Sequence, residues 1–361
     1  MARATETTGV LAGEDDLHCL IFVRNCISGM VDTMVLYCAV KLQIFDAIYR
    51  HGGRPVSLPE LAAALPGKVV RQPNLRRVMR YLTHMRLING GCNEAGEFYT
   101  LTLAASSYLR VESEKSLVPL LKLNMEGGLT ELLCALDACV TGERGSDMPA
   151  VELPERESFY SMASKDLALG KMFDDAMTAM VRRTAEAVVE GCPAVFEGLK
   201  TMVDVGGGEG VVAAAIARAF PAMRCVVLEQ AHVVEKAPAR EGVEFVAGDM
   251  FVSLPQADAL LFTRILHNWS DEKVLEILKL CREVVSKNNG KVIIVEIVIS
   301  DFEDDRILEK VKLAQDIKMM VRFEGKERTK NEWKNLLSKA NFNNYSFTPL
   351  MALEHLIEAS L

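Results

Sequence analysis

The chain has no surplus of positive charge: 41 Lys and Arg residues face 49 Asp and Glu, for a net charge of -8. An acidic chain has no overall attraction to nucleic acid or anionic membrane, so neither is expected as a partner. Its nine cysteines form no C-x-x-C pair and no His/Cys cluster at metal-ligand spacing, so no metal is expected. An odd, scattered set of thiols within apolar patterns also gives no disulfide framework and suits a reducing, cytoplasmic compartment. The first residues, Met-Ala-Arg-Ala-Thr-Glu-Thr-Thr, lack the apolar region of a signal peptide. No uninterrupted apolar run approaches the roughly 18 residues of a membrane span.

What is present is an ordinary globular composition, 50% hydrophobic and 25% charged. At 361 residues the chain is long for one core, and two domains are expected, 1–165 and 166–361. Residues 16–200 read as helical almost throughout. Leu17, Leu20, Ile21, Val23, Ile27, Met30, Val31, Met34 and Val35 cover more of a helix than one core-facing stripe needs. Such a helix must be buried on several faces, which predicts a homodimer interface. Ser57 then caps a short helix with Pro59 in its first turn, an amphipathic helix follows over 74–88, and a hairpin ends near Phe98–Leu101. Helix, helix and hairpin form a winged-helix pattern with two readings. It binds DNA through Arg71, Arg76, Arg77, Arg80 and Arg86, or it is a packing and dimerisation module with a solvated basic face.

From residue 200 the grammar changes to alternating strands and helices. Strands are expected at 201–205, 224–229, 243–249, 257–263 and 291–299, with helices between them and a terminal pair at 344–348 and 355–359. The fold class is therefore α/β, a Rossmann-like, doubly wound, largely parallel sheet behind a mostly helical N-terminal domain. The run at 291–299 is too continuously apolar to have a wet face.

In an open sheet of this kind ligands bind beyond the carboxyl ends of the strands, and each predicted strand ends in a residue with chemistry to offer. Thr201-Met-Val-Asp-Val-Gly-Gly-Gly-Glu-Gly210 empties a strand into a glycine-rich turn that lets a ligand approach the main chain at Gly206. Val211 stands where a dinucleotide fingerprint wants a third small residue, which disfavours a dehydrogenase. Glu229 closes the next strand about twenty residues on, where a carboxylate can accept from ribose hydroxyls. Asp249, Met250 and Phe251 close the third, offering a carboxylate and two apolar side chains to a nucleoside base. His267 lies in the loop after the fourth. Glu296 interrupts the apolar fifth strand, and a buried acid there calls for a partner such as an imidazole. Glu327, in a charged loop, is a second acid of this kind.

With Val203-Asp-Val-Gly-Gly-Gly-Glu-Gly210, Gly248-Asp-Met-Phe251, Leu266-His-Asn-Trp-Ser-Asp271, Lys291-Val-Ile-Ile-Val-Glu296 and Gly325-Lys-Glu-Arg-Thr329 in this order, nearly the whole chain resembles the plant S-adenosylmethionine-dependent O-methyltransferases of the caffeate and norcoclaurine type. The resemblance implies methyl transfer from S-adenosylmethionine to a phenolic hydroxyl of an alkaloid, phenylpropanoid or flavonoid-like compound, leaving S-adenosylhomocysteine. It implies His267 as general base, flanked by Glu296 and Glu327, and Gly206, Glu229, Asp249, Met250 and Phe251 at the cofactor. Candidates to clamp the aromatic acceptor are Phe173, Met177, Met180 and Met320, with Met319 beside them. Three places depart from the pattern: Thr263 replaces a lysine, Asn268 an aspartate, and the loop Arg322-Phe-Glu-Gly325 lacks the usual asparagine and second glycine. Arg322 favours an anionic or oxygen-rich acceptor over a protonated amine. Methylation of nitrogen on the same scaffold, and a ligand-sensing DNA-binding regulator, are the alternatives.

Overall fold

The computed structural model describes residues 4–67, 69–94, 96–141, 162–163, 165–300 and 305–361, with the side chains of those from residue 15 onward except 93 and 288. Part of the stretch expected to be helical, 142–161, lies outside the described residues. The chain divides into two compact units, Met1–Leu121 and Lys122–Leu361. This division falls ahead of the expected boundary at 165/166, because Leu123 is fully buried among Met162, Phe173, Ala176 and Met177 of the second unit.

The first unit opens with the helix Ala4–Lys41. Over Asp15–Lys41 its mean hydropathy reaches 1.5, within the range of a membrane span although Arg24 and Asp32 interrupt it. Phe22, Ile27 and Met30 are 66%, 74% and 71% exposed, so one chain alone leaves this apolar surface uncovered. The core gathers Ile44, Phe45, Leu61, Met79, Leu82 and Ile88 from the helices Ile44–Tyr49, Leu58–Ala64 and Gln72–His84 and from a small sheet. That sheet holds strands β1 (Val56–Ser57), β2 (Ile88–Asn93) and β3 (Gly96–Leu101), antiparallel in the order β1-β3-β2. Ser57 and Glu60 form a reciprocal capping box, with Glu60 accepting from the Ser57 backbone at 2.8 Å. Arg76, part of the basic face, is paired with Glu97 at 2.9 Å.

The second unit is built on β4 (Thr201–Val205), β5 (Arg224–Glu229), β6 (Val243–Ala247), β7 (Ala259–Thr263), β8 (Lys291–Ile299), β9 (Arg328–Thr329), β10 (Asn344–Pro349) and β11 (Glu354–Ser360). The sheet order is β10-β11-β8-β7-β4-β5-β6, with β9 alongside β8. Strands β6, β5, β4, β7 and β8 are parallel, and β10 and β11 extend the sheet antiparallel, so it is mixed. Both faces are covered. Val203, Leu260, Phe262, Val292 and Ile294 share one core with residues of the helices Asp271–Asn288 and Lys330–Lys339. Met202, Leu261, Ile293 and Val295 share the other with residues of the helices Leu167–Gly191 and Val211–Ala219. Alternate residues of each strand feed opposite cores, which is why these strands read as continuous apolar runs.

The strand order reverses between β4 and β7, and the site described next collects at the carboxyl ends of the strands around that switch point.

Candidate active site

The glycine turn after β4 is held from several sides. Gly206 has φ 71°, in the left-handed region, and a Cβ there would lie 2.7 Å from Ile265 Cδ1. Gly208 donates its backbone N–H to Glu229 Oε2 at 3.2 Å, so the acid closing β5 helps to shape the loop. Glu209 accepts from Thr178 at 3.2 Å and from the Arg240 guanidinium, anchoring the turn to the helix Leu167–Gly191. Asp249 accepts from the backbone of Phe251 at 2.9 Å, and the Phe251 ring meets Trp269 edge-on at 4.8 Å. Asp249 is exposed, while Met250 and Phe251 pack partly against the core.

Asp204 was not among the expected site residues. It is buried, and its carboxylate makes no close hydrogen bond; the Ala213 backbone N–H is the one donor that acts on it among the described residues. Burial, and then the nearby Glu229 charge, push its carboxyl up to about 7. An acid on an otherwise apolar strand, the signal that singled out Glu296, also marks Asp204.

His267 sits in a single 3-10 turn, Leu266–Asn268, between β7 and the helix Asp271–Asn288, which Ser270 caps by accepting from Lys273. The three expected acid–base residues meet there. His267 Nδ1 lies 2.7 Å from Glu327 Oε1 and 3.5 Å from Glu296 Oε2, and all three residues are buried. Glu296 Oε1 also accepts from the backbone N–H groups of Leu266 and His267, at 2.8 and 3.3 Å. The turn is clamped from below by Arg328, fully buried, which donates to Leu266 O, Trp269 O and Asp271 Oδ1 at 3.0, 2.8 and 2.9 Å. Lys326 donates its backbone N–H to His267 O at 2.9 Å.

Burial by itself would lower the basicity of His267, but the charges of Glu327 and Glu296 outweigh it and the imidazole is raised above its ordinary value. Burial also raises Glu296, helped by the Glu327 charge. Against its own burial, Glu327 is held low by the His267 charge and hydrogen bond and by Arg264 and Arg328. Ligand atoms of His267, Glu296 and Glu327 lie within 4.8 Å of one another, close enough for a metal ion as well. In the hydrogen-bonded arrangement, His267 Nδ1 and Glu327 Oε1 already satisfy each other.

Arg264, also missed from the sequence, follows β7 with φ 55°, buried, and donates to Glu354 Oε1 at 3.0 Å. Its signal is related to that of Glu296: a charge directly following a fully buried strand instead of interrupting one. Phe173 and Met177 share a cluster with Leu123, Ala176 and Phe323, whereas Met180 and Met320 are half-buried outside it. Of the departures, Thr263 and Asn268 are buried, and Arg322 donates to Gly127 O at 3.1 Å.

Residues 152–343 match the family model for the O-methyltransferase domain, and residues 25–111 match the O-methyltransferase dimerisation domain. The chain belongs to the O-methyltransferase family. It is 38% identical to a probable scoulerine-9-O-methyltransferase of Papaver somniferum, covering 93% of this chain and 95% of that one. It is 37% identical to the trans-resveratrol di-O-methyltransferase of Vitis vinifera, over 97% and 98% of the two chains. With the (RS)-norcoclaurine 6-O-methyltransferase of Coptis japonica it shares 35%, over 96% and 98%. Human N-acetylserotonin methyltransferase, solved with S-adenosylmethionine, has the same fold, with a TM-score of 0.80 at 22% identity over 95% and 97% of the chains. The enzyme is thus an S-adenosylmethionine-dependent O-methyltransferase with an N-terminal dimerisation domain.

Proposed function

We propose that the enzyme methylates a phenolic hydroxyl of an aromatic plant metabolite, with His267 as general base ordered by Glu327 and Glu296. The observation that carries this reading is the 2.7 Å contact between His267 Nδ1 and Glu327 Oε1, buried at the carboxyl ends of the parallel strands. With Nδ1–H donated to Glu327, the neutral imidazole keeps its lone pair on Nε2. A phenol with a pKa of roughly 10 is about one part in a thousand ionised at neutral pH, so its oxygen attacks poorly without help. As Nε2 takes the phenolic proton, the new imidazolium is stabilised by the two carboxylates already facing Nδ1. S-adenosylmethionine supplies an electrophilic methyl group on a good leaving group.

Gly206, Glu229, Asp249, Met250 and Phe251 are the proposed cofactor contacts, to which Asp204 is added. The cofactor carries an ammonium and a sulfonium, and Asp204 is a buried carboxylate with no cationic partner among the described residues, so the residues fit it. Phe173, Met177, Met180 and Met320 are proposed to hold the acceptor ring. The exposed face of the helix Asp15–Lys41 is proposed to pair two copies into a homodimer, with the helix–helix–hairpin unit acting as a winged-helix packing module.

The test is product analysis with labelled cofactor and a panel of phenols and amines. His267→Ala is expected to lose about 10² to 10⁴ in kcat on phenols. Full activity of that variant, or methyl groups found on nitrogen only, overturns the reading.

A further inference from the structure

The helix Arg306–Phe323 leads directly into the loop that carries Glu327. Asp316 on this helix accepts from the Glu327 backbone N–H at 2.8 Å, so the helix is fastened to the acid that orders His267. Two cations, Lys318 and Arg322, lie four residues apart on the same helix and therefore on one face, both half-buried. Arg322 is oriented by its bond to Gly127 O at 3.1 Å. The next residue, Phe323, packs in the cluster that contains Phe173 and Met177.

No carboxylate is paired with Lys318 among the described residues; the charged groups acting on it are Arg322 and Arg264, of its own sign. Burial, and then these two guanidiniums, hold the Lys318 ammonium below its usual range, and burial lowers Arg322 to about 10. Arg264 has its counter-charge in Glu354, at 3.0 Å. Lys318 has none. Like charges on one helix face, partly withdrawn from water, repel each other, and an anion placed between them relieves that repulsion.

We propose that Lys318 and Arg322 form a cationic subsite that binds a carboxylate on the phenolic acceptor. The assignment of the subsite to the acceptor rests on the phenol-methylating reading given above. The planar guanidinium of Arg322 suits a carboxylate edge, and Lys318 adds a compact point charge. The same pair repels a protonated amine, so the preferred acceptors are hydroxylated aromatic acids rather than cationic alkaloids.

The experiment measures binding to the full-length enzyme in the presence of S-adenosylhomocysteine. A dihydroxybenzoic acid and its methyl ester are titrated calorimetrically into wild type, Arg322→Gln and Lys318→Met, and turnover of both compounds is followed in parallel. The acid is expected to bind wild type at least about tenfold more tightly than the ester, an advantage that falls as salt screens the pair. In each variant the ratio is expected to collapse towards unity. Equal binding of acid and ester by wild type, or binding of neither, overturns the proposal. So does a variant that weakens acid and ester alike. A loss of S-adenosylhomocysteine affinity with the acid preference intact also overturns it, and assigns the cations to the carboxylate of the cofactor. If the acid preference is present and variant-sensitive but no phenol is methylated, the anion subsite stands and the phenol-methylating reading falls.

Discussion

A Cβ placed on Gly325 would lie 2.0 Å from the carbonyl oxygen of His267, with Asn268 C and Cα at 2.8 and 2.9 Å. All three contacts are backbone, so no side chain can swing aside. Gly325→Ala is expected to push the turn that carries His267 out of position. Because a displacement of about 1 Å at a reacting group can cost roughly 10²-fold, kcat should fall by that order while S-adenosylhomocysteine still binds. Steady-state kinetics and calorimetry on the same preparation check this, and wild-type kcat would show that the turn is plastic.

Glu327→Gln changes the pH profile as well as the rate. The imidazole is raised above its ordinary 6.5 because the charges of Glu327 and Glu296 outweigh burial. His267 must be neutral to accept a proton, so activity is lost as pH falls through this raised value. Removing one of the two carboxylate charges should move the acid limb to lower pH and reduce kcat by about 10² or more. For stability the sign follows from a folded-state pKa above the unfolded one. The contribution is complete below the unfolded value and disappears as pH rises through the folded one. Glu327→Gln should therefore cost more Tm at pH 6 than at pH 9, and an unmoved acid limb would refute the role of Glu327.

Asp204→Asn tests the buried acid beneath the glycine turn. A buried carboxylate with no cationic partner among the described residues is suited to a cationic ligand, and an amide of the same shape carries no charge. Affinity for S-adenosylmethionine is expected to fall about tenfold or more, in line with the loss of one buried charge interaction of ~1.4 kcal/mol or above. The uncharged adenosine should lose much less. Equal losses for both ligands would make Asp204 a structural residue.

Phe22, Ile27 and Met30 are exposed along the helix Ala4–Lys41, and Ile27 and Met30 fall within the residues that match the dimerisation domain. Ile27→Glu combined with Met30→Glu should convert a dimer to a monomer in light scattering. A mass unchanged by both substitutions would place the interface elsewhere.

Much of the second unit was legible because its signals are local. The strands at 224–229 and 291–299 have the expected bounds, since residues buried on both faces leave a nearly continuous apolar run, broken in the second only by Glu296. Ser57 and Ser270 announced helix starts because a cap and its acceptors lie within three residues. Glu296 was visible as a charge that an apolar strand cannot carry alone. Asp204 carries the same signal within its strand, and Arg264 a weaker form of it, one residue past the end of its own. Arg328 was quoted only as part of a motif, because its three acceptors lie some sixty residues earlier in the chain.

By itself, then, the sequence determined which segments become strands, where helices begin, and that reactive side chains end each parallel strand, since these follow from periodicity and capping over a few residues. The tertiary structure alone decided the partners. It brings Glu327 to His267 across 60 residues and Glu354 to Arg264 across 90. It also sets Lys318 among the charges of Arg322 and Arg264, both of its own sign. The physical reason is that a side chain's charge state and orientation depend on what the sheet order and its crossovers place beside it, and no local pattern records that.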